Sequence, residues 1–287
     1  MNNYLCKDKF LNLEFNNSLK KLLFMKKIIF ILLLACLIVS CSTVLLTGRK
    51  QLSLVPDSEV LTSSFQSYKQ FIDSVPASQD KVNTALVKKV GKKISTVVEA
   101  YLNANGMSAD VATYSWEFNL VKESTVNAFC MPGGKVVVFE GILPITKNEV
   151  GLAVVLGHEI AHAVAKHSNE RLSQQMLLQY GSSLTDVLLT NKTSATRATI
   201  NTIYGIGAQY GVMLPYSRQH EYEADRLGLI FIAMAGYDPN EAITFWERMS
   251  ASSKNAPVEF MSTHPSDANR IAKLRELLPE ALKYYKK

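Results

Sequence analysis

Residues 158 to 162 read His-Glu-Ile-Ala-His. On an α-helix, positions i and i+4 lie one above the other on one face. His158 and His162 can therefore reach one metal ion together. Glu159 stands beside them, where its carboxylate can take a proton from a water that the metal activates. Two imidazoles plus an adjacent base at this spacing is the arrangement of a zinc-dependent peptidase. The chain has only five His in 287 residues, so a chance pairing at this spacing is rare. Val150, Val154, Val155 and Ile160 give the stretch an apolar helical surface, and no Pro interrupts residues 149 to 167. This predicts one helix through the whole motif.

A catalytic zinc usually has three protein ligands. The third is sought in Ser217-Arg-Gln-His-Glu-Tyr-Glu-Ala-Asp225. Glu221 and Asp225 are four apart and share a helix face. Glu221 is assigned as the third ligand, and Asp225 as the carboxylate that holds a ligand imidazole from behind, because such partners fix the tautomer and angle of a zinc-bound His. Glu223 is expected to point elsewhere. His220 competes with Glu221 but lies about 100° around the helix from it. His167 follows His158 by nine residues, or 2.5 turns, so it is expected to face away from the ligands and to take no part in the chemistry.

These residues resemble the gluzincin peptidase family that includes the CAAX prenyl proteases, the bacterial HtpX-like proteases and related periplasmic or lipoprotein peptidases. The match rests on His158-Glu159-x-x-His162 and on Glu221-x-x-Ala224-Asp225. It is joined by Asn127-Ala-Phe-Cys-Met-Pro-Gly-Gly134 and by Ser262-Thr-His-Pro265, and it runs from about residue 50 to about residue 275. The resemblance implies a zincin-type metallopeptidase domain with a small β-sheet beside the active-site helix, one Zn2+ per chain, and polypeptide substrates. It places substrate binding around Asn127, Ala128 and Phe129. It also brings His264 near the zinc, either to stabilise the oxyanion or to occupy the open metal position at rest. Quality control of misfolded or unassembled envelope proteins is a further implication of the family. The competing reading is a non-catalytic, zinc-stabilised binding or chaperone-like lipoprotein. It has no use for a general base at Glu159.

The N-terminus predicts where the domain works. Met25-Lys-Lys begins a stretch that is apolar from Ile28 to Val39 and ends at Ser40-Cys41, the form of a secretory signal. Ile38-Val-Ser-Cys41 looks like a bacterial lipobox, which makes Cys41 the lipidated first residue of the mature chain. Leu33-Leu-Ala-Cys36 is the weaker alternative. Residues 1–24 are then an upstream extension, 25–41 the signal peptide, 42–56 a tether, and 57–287 the peptidase domain. The expected location is the exported, periplasmic side of a bacterial membrane, the outer membrane before the inner. The net charge of +6 is concentrated at the start, where residues 1–40 carry six Lys against two acidic residues. No basic stripe with interleaved aromatics remains, which argues against a nucleic-acid partner. Of four Cys, only Cys41 and Cys130 would survive processing, so stability must come from the core rather than from a disulfide.

The elements that must position this chemistry are mostly helical, and the predicted class is α+β. A helix is expected from 57 to about 74, a second over 79–103, another over about 239–252 with Trp246 in the core, and two short ones over 266–276 and 277–286. Tyr114, Trp116, Phe118 and Leu120 alternate with polar residues and predict a half-buried strand. Pro132-Gly-Gly134 predicts a turn before a second strand, Lys135–Glu140. Residues 168–215 allow two readings, a lid over the cleft or a helical hairpin on the core.

Overall fold

A computed structural model describes residues 24, 41–44, 47–208, 213–253, 259–264 and 268–286. The proposed signal peptide and the upstream extension lie almost wholly outside them. No helix among the described residues is long and apolar enough to cross a membrane.

The fold is mostly helical around one small sheet. In chain order, β1 (Cys41–Thr43) and β2 (Lys50–Leu52) form an antiparallel hairpin, followed by α1 (Asp57–Ser74), α2 (Lys81–Ala104) and the short α3 (Ser108–Val111). Strands β3 (Glu117–Val121), β4 (Ala128–Met131) and β5 (Lys135–Phe139) make the second sheet, in the order β3-β5-β4. A short α4 (Leu143–Thr146) leads into α5 (Glu149–Val164). Then come α6 (His167–Leu188), α7 (Ser194–Ala208), α8 (Leu214–Met234), α9 (Glu241–Ser253), α10 (Glu259–Thr263) and α11 (Ala268–Ala281).

Helix α5 is the axis of the molecule. Asn148 caps it, its side chain accepting from the Gly151 N–H, as an Asn at this position should. Every residue from Gly151 to Ala161 is buried, because α2, α8, α9 and strand β4 all pack on it. A helix that is apolar all round is the expected form for such a position. Strand β5 is likewise buried along its whole length, lying between β3, which it pairs in parallel, and β4, which it pairs antiparallel. Gly133 and Gly134, both at φ 84°, make the turn from β4 to β5. Only Gly adopts that region without strain.

The structure differs from the sequence reading in four places. The strand expected from Tyr114 begins at Glu117. Tyr114 and Trp116 instead stack on each other, 4.7 Å between ring centroids, and Trp116 stacks on Phe118. The motif helix does not run to 167. It ends at Val164, Lys166 takes a left-handed conformation (φ 56°), and a new helix starts at His167. The segment read as a tether contains the β1–β2 hairpin, and its side chains reach into the protein. The two C-terminal helices are one, α11, which continues through Pro279. The packing of Leu274, Leu277, Leu278 and Ala281 on the core outweighs the hydrogen bond that Pro removes. Of the two readings for residues 168–215, residues 167–208 form the helical hairpin, and among the described side chains its buried part is the first two turns of α6. Its far end exposes Leu184, Val187, Leu188 and Ile203.

Candidate metal centre

Four side chains from three parts of the chain converge on one point. His158 and His162 come from α5, Glu221 from α8, and His264 from the end of α10. One ligand atom from each lies within 4.8 Å of all the others, and all four residues belong to the buried interior around α5. His158 Nε2 is 3.0 Å from His162 Nε2. Glu221 presents its oxygens at 3.3 Å to His158 and 3.4 Å to His162. His264 Nδ1 is 3.2 Å from His158 Nε2 and 3.1 Å from Glu221 Oε2.

The meeting of α5 and α8 is what makes this convergence possible. Gly157 and Gly228 face each other where the helices cross. A Cβ on Gly228 would stand 3.1 Å from backbone atoms of Gly157 and His158. The two backbones touch directly, so the ligands on α5 and the carboxylates on α8 lie within reach of one another.

Behind the cluster, each group is held from its far side. His158 Nδ1 is 3.1 Å from Asp225 Oδ1. Asp225 in turn takes both prongs of Arg270, with Nε at 2.7 Å and Nη2 at 2.8 Å. Arg270 is buried, lies 3.6 Å from the centroid of the Trp246 ring, and donates to the His264 carbonyl at 3.2 Å. Trp246 is core, as expected, and it also packs edge-on against His158, with 5.6 Å between ring centroids. Glu159 is buried beside the cluster. Its Oε1 lies 3.4 Å from His264 Nε2, beyond a good hydrogen bond, and has no hydrogen-bond partner.

The electrostatics follow from burial and these partners. Burial opposes the charge on Glu221, but His162, His158 and His264 overcome it and hold its pKa well below the usual carboxylate range. Asp225 is likewise depressed, Arg270 outweighing burial. Burial works against a proton on His158, yet Asp225 and Glu221 raise its pKa to about 9. His162 lacks such a balance, and burial pushes it well down. Glu159 is pushed up by burial.

This donor set fits a zinc ion. His158 turns Nδ1 to Asp225, and His162 turns Nδ1 to His167, so both Nε2 atoms point to the same place as the Glu221 carboxylate, and binding a metal displaces the proton that Asp225 and Glu221 favour on His158. Converging lone pairs and an anion need a cation between them, and imidazole with carboxylate is a zinc donor set. The unpartnered Glu159 oxygen is placed for a water at that centre.

One sequence expectation changes here, and one residue escaped the sequence reading. His167 does not face away. The break at Lys166 turns it back, and its Nδ1 lies 2.8 Å from His162 Nδ1. The side chains of Asn127, Ala128 and Phe129 do not line the cluster. Asn127 bonds Glu259 at 3.1 Å, Ala128 is buried in the core, and Phe129 packs on Phe71 and Phe139. Strand β4, which Ala128 and Phe129 open, is however an edge, with a strand partner on one side only among the described residues. Arg270 was not anticipated. It sits in a run of alternating charged and apolar residues that has the look of an ordinary helix surface, so no local signal marked it as buried.

The family model for peptidase family M48 matches residues 88–278, and the chain belongs to that family. It is 41% identical over 190 residues to the mitochondrial metalloendopeptidase OMA1 of Schizosaccharomyces pombe, covering 66% of this chain and 53% of that one. It is 30% identical over 244 residues to the Homo sapiens metalloendopeptidase OMA1, covering 83% and 46%. It is also 30% identical over 184 residues to the β-barrel assembly-enhancing protease of Escherichia coli, covering 61% and 38%. The chain thus spans about half the length, or less, of these relatives.

Proposed function

We propose that the protein is a zinc-dependent endopeptidase of the bacterial cell envelope, with His158, His162 and Glu221 as zinc ligands and Glu159 as general base. The convergence of those three side chains beside a buried, unpartnered Glu159 oxygen carries the proposal. Zinc bound there would polarise the scissile carbonyl and lower the pKa of water from 15.7 to roughly 7. The protein's own residues do the rest. Glu159, its pKa raised by burial, takes a proton from the attacking water and hands it to the leaving amine. Asp225, fixed by Arg270, keeps His158 in the tautomer that turns Nε2 to the metal. The free edge of β4 accepts an extended substrate by backbone hydrogen bonds. Residues 127–129 act there through their main chain.

The substrates are polypeptides, misfolded or unassembled envelope proteins. The domain is held on the periplasmic side by a lipid on Cys41, at the outer membrane in preference to the inner. Support for that setting is the signal-like stretch before Cys41 and the likeness to a relative named for enhancing β-barrel assembly.

The test compares the full-length protein with its Glu159→Gln variant for casein cleavage and zinc content. We expect about one zinc in each and cleavage by the wild type alone. Wild-type turnover by Glu159→Gln would overturn the role of Glu159.

One observation favours the binding-protein alternative. His264 joins the other three ligands and would close the shell with a fourth protein donor, as structural zinc sites are closed. We read this as a resting state. Replacing the blocking imidazole in His264→Ala should then raise casein cleavage above wild type. A fall with zinc retained would assign His264 to the oxyanion instead, and no cleavage by either protein would favour the binding role.

A further inference from the structure

His162 is held from behind by a chain of contacts that ends in the N-terminal hairpin. His162 Nδ1 is 2.8 Å from His167 Nδ1, and His167 Nε2 is 3.0 Å from Glu223 Oε2. That oxygen accepts from Arg49 Nε at 2.7 Å, and the other Glu223 oxygen accepts from the Thr47 hydroxyl. Arg49 then forks onto Glu170, with Nη1 at 3.0 Å and Nη2 at 2.7 Å. Glu170 also takes His220 Nε2 at 2.8 Å, and the His220 ring stacks on His167 with 4.2 Å between centroids. Glu170, Glu223, His167 and His220 are all buried.

The chain has a direction. An ionised carboxylate only accepts, so the proton between Glu223 and His167 sits on His167 Nε2. A neutral His167 then offers Nδ1 as an acceptor. His162 must donate from Nδ1, which leaves its Nε2 lone pair free towards Glu221 and His158. The other tautomer of His162 would turn an N–H into the cluster and could not bind a metal.

We propose that Arg49 is a positioning residue for the zinc site: by fixing Glu223 it sets the tautomer and ring angle of His167, and through His167 those of His162. The hairpin that begins at Cys41, the proposed lipidation position, is thereby part of the metal centre. The proposal rests on the zinc reading of His158, His162 and Glu221. The rival reading gives Arg49 the task of neutralising two buried carboxylates, with no effect on the metal.

The test measures zinc affinity of the full-length protein by competition with a chromophoric chelator, together with the visible spectrum of its cobalt(II) form. Partners behind a metal-bound His typically change affinity by about 10- to 100-fold. We expect Arg49→Met and Glu223→Gln each to weaken zinc binding by about 10-fold or more and to alter the cobalt bands. Arg49→Lys should recover part of the loss, since an ammonium can pair Glu223 but cannot fork onto both carboxylates. On a His167→Phe background, whose ring preserves the stack on His220, neither substitution should weaken zinc binding further. Wild-type affinity and spectrum in Glu223→Gln and Arg49→Lys, whatever their melting temperatures, would overturn the proposal, and these two decide it if Arg49→Met does not fold. Undiminished effects on the His167→Phe background would also overturn it. Failure of the wild type to bind zinc would defeat the reading of the site itself.

Discussion

Arg270 is a buried cation between two carboxylates, Asp225 and Glu221, with the Trp246 ring against its flat face. A guanidinium suits this place because it stays charged and can grip Asp225 with two prongs while its plane packs on an aromatic. Removing one partner of a buried ion pair leaves the other charge desolvated and alone, at a cost of about 3–5 kcal/mol. Arg270→Met should therefore lower unfolding stability by about that amount in urea titrations, and should release His158 from its fixed angle. Arg270→Lys should fall between, keeping charge but losing the fork. A change below about 1 kcal/mol in Arg270→Met would mean that Asp225 finds another partner. At this scale the sequence showed the residues whose roles depend on local spacing. His158, His162, Glu221 and Asp225 meet because each pair is four apart on a regular helix. It hid those whose roles depend on chain path. His167 was misplaced because Lys166 enters the left-handed region without a Gly to announce it, and Arg270 and Arg49 reach their carboxylate partners from other elements of the chain, 45 or more residues away in sequence.

Helices α5 and α8 carry three of the four converging side chains and Asp225, so the site is only as well defined as their crossing. Gly157 and Gly228 let the two backbones touch. A Cβ at Gly157 would meet Ile232 Cγ2 at 2.5 Å, and one at Gly228 would meet backbone atoms 3.1 Å away. Backbone cannot rotate aside as a side chain can. Gly228→Ala must push the helices apart, and overpacking of this kind costs about 1–3 kcal/mol. We expect a lower melting temperature and zinc lost on dialysis, because Glu221 and Asp225 move away from His158 together. Unchanged zinc retention would show that the ligands follow the helix shift. The helices themselves were largely legible. The helix expected from 57, the second over 79–103 and the apolar, Pro-free run from 149 placed α1, α2 and α5 to within a few residues. The short strands were not. Runs of three to five residues carry too little alternation to separate from loops, so β1, β2 and the limits of β3 and β4 emerge only from pairing and burial.

At the scale of the whole molecule, the hairpin β1–β2 is clamped to the catalytic body by charge. Arg49 bonds Glu170 of α6 and Glu223 of α8 at once, and no segment-by-segment reading of residues 42–56 could show a partner so distant. The clamp carries a pH signature. Burial opposes ionisation of Glu170, but hydrogen bonds from His220 and Arg49 outweigh it and lower its pKa to about 2. In the unfolded chain a Glu titrates near about 4.3. A carboxyl whose pKa is lower in the folded state adds stability above its unfolded pKa, and that stability is lost as pH falls towards the folded value. The gain from Glu170 should therefore be complete at neutral pH and decay between about pH 4.5 and pH 2, with an upper size of about 3 kcal/mol. Other carboxylates titrate in the same window, so the informative quantity is the difference between the wild type and Glu170→Gln. That difference in unfolding free energy should be constant from pH 7 to pH 5 and shrink as the pH is lowered further. A gap that stays level down to pH 3 would mean that the contribution of Glu170 does not depend on its charge, and that Arg49 holds the hairpin through Glu223 alone.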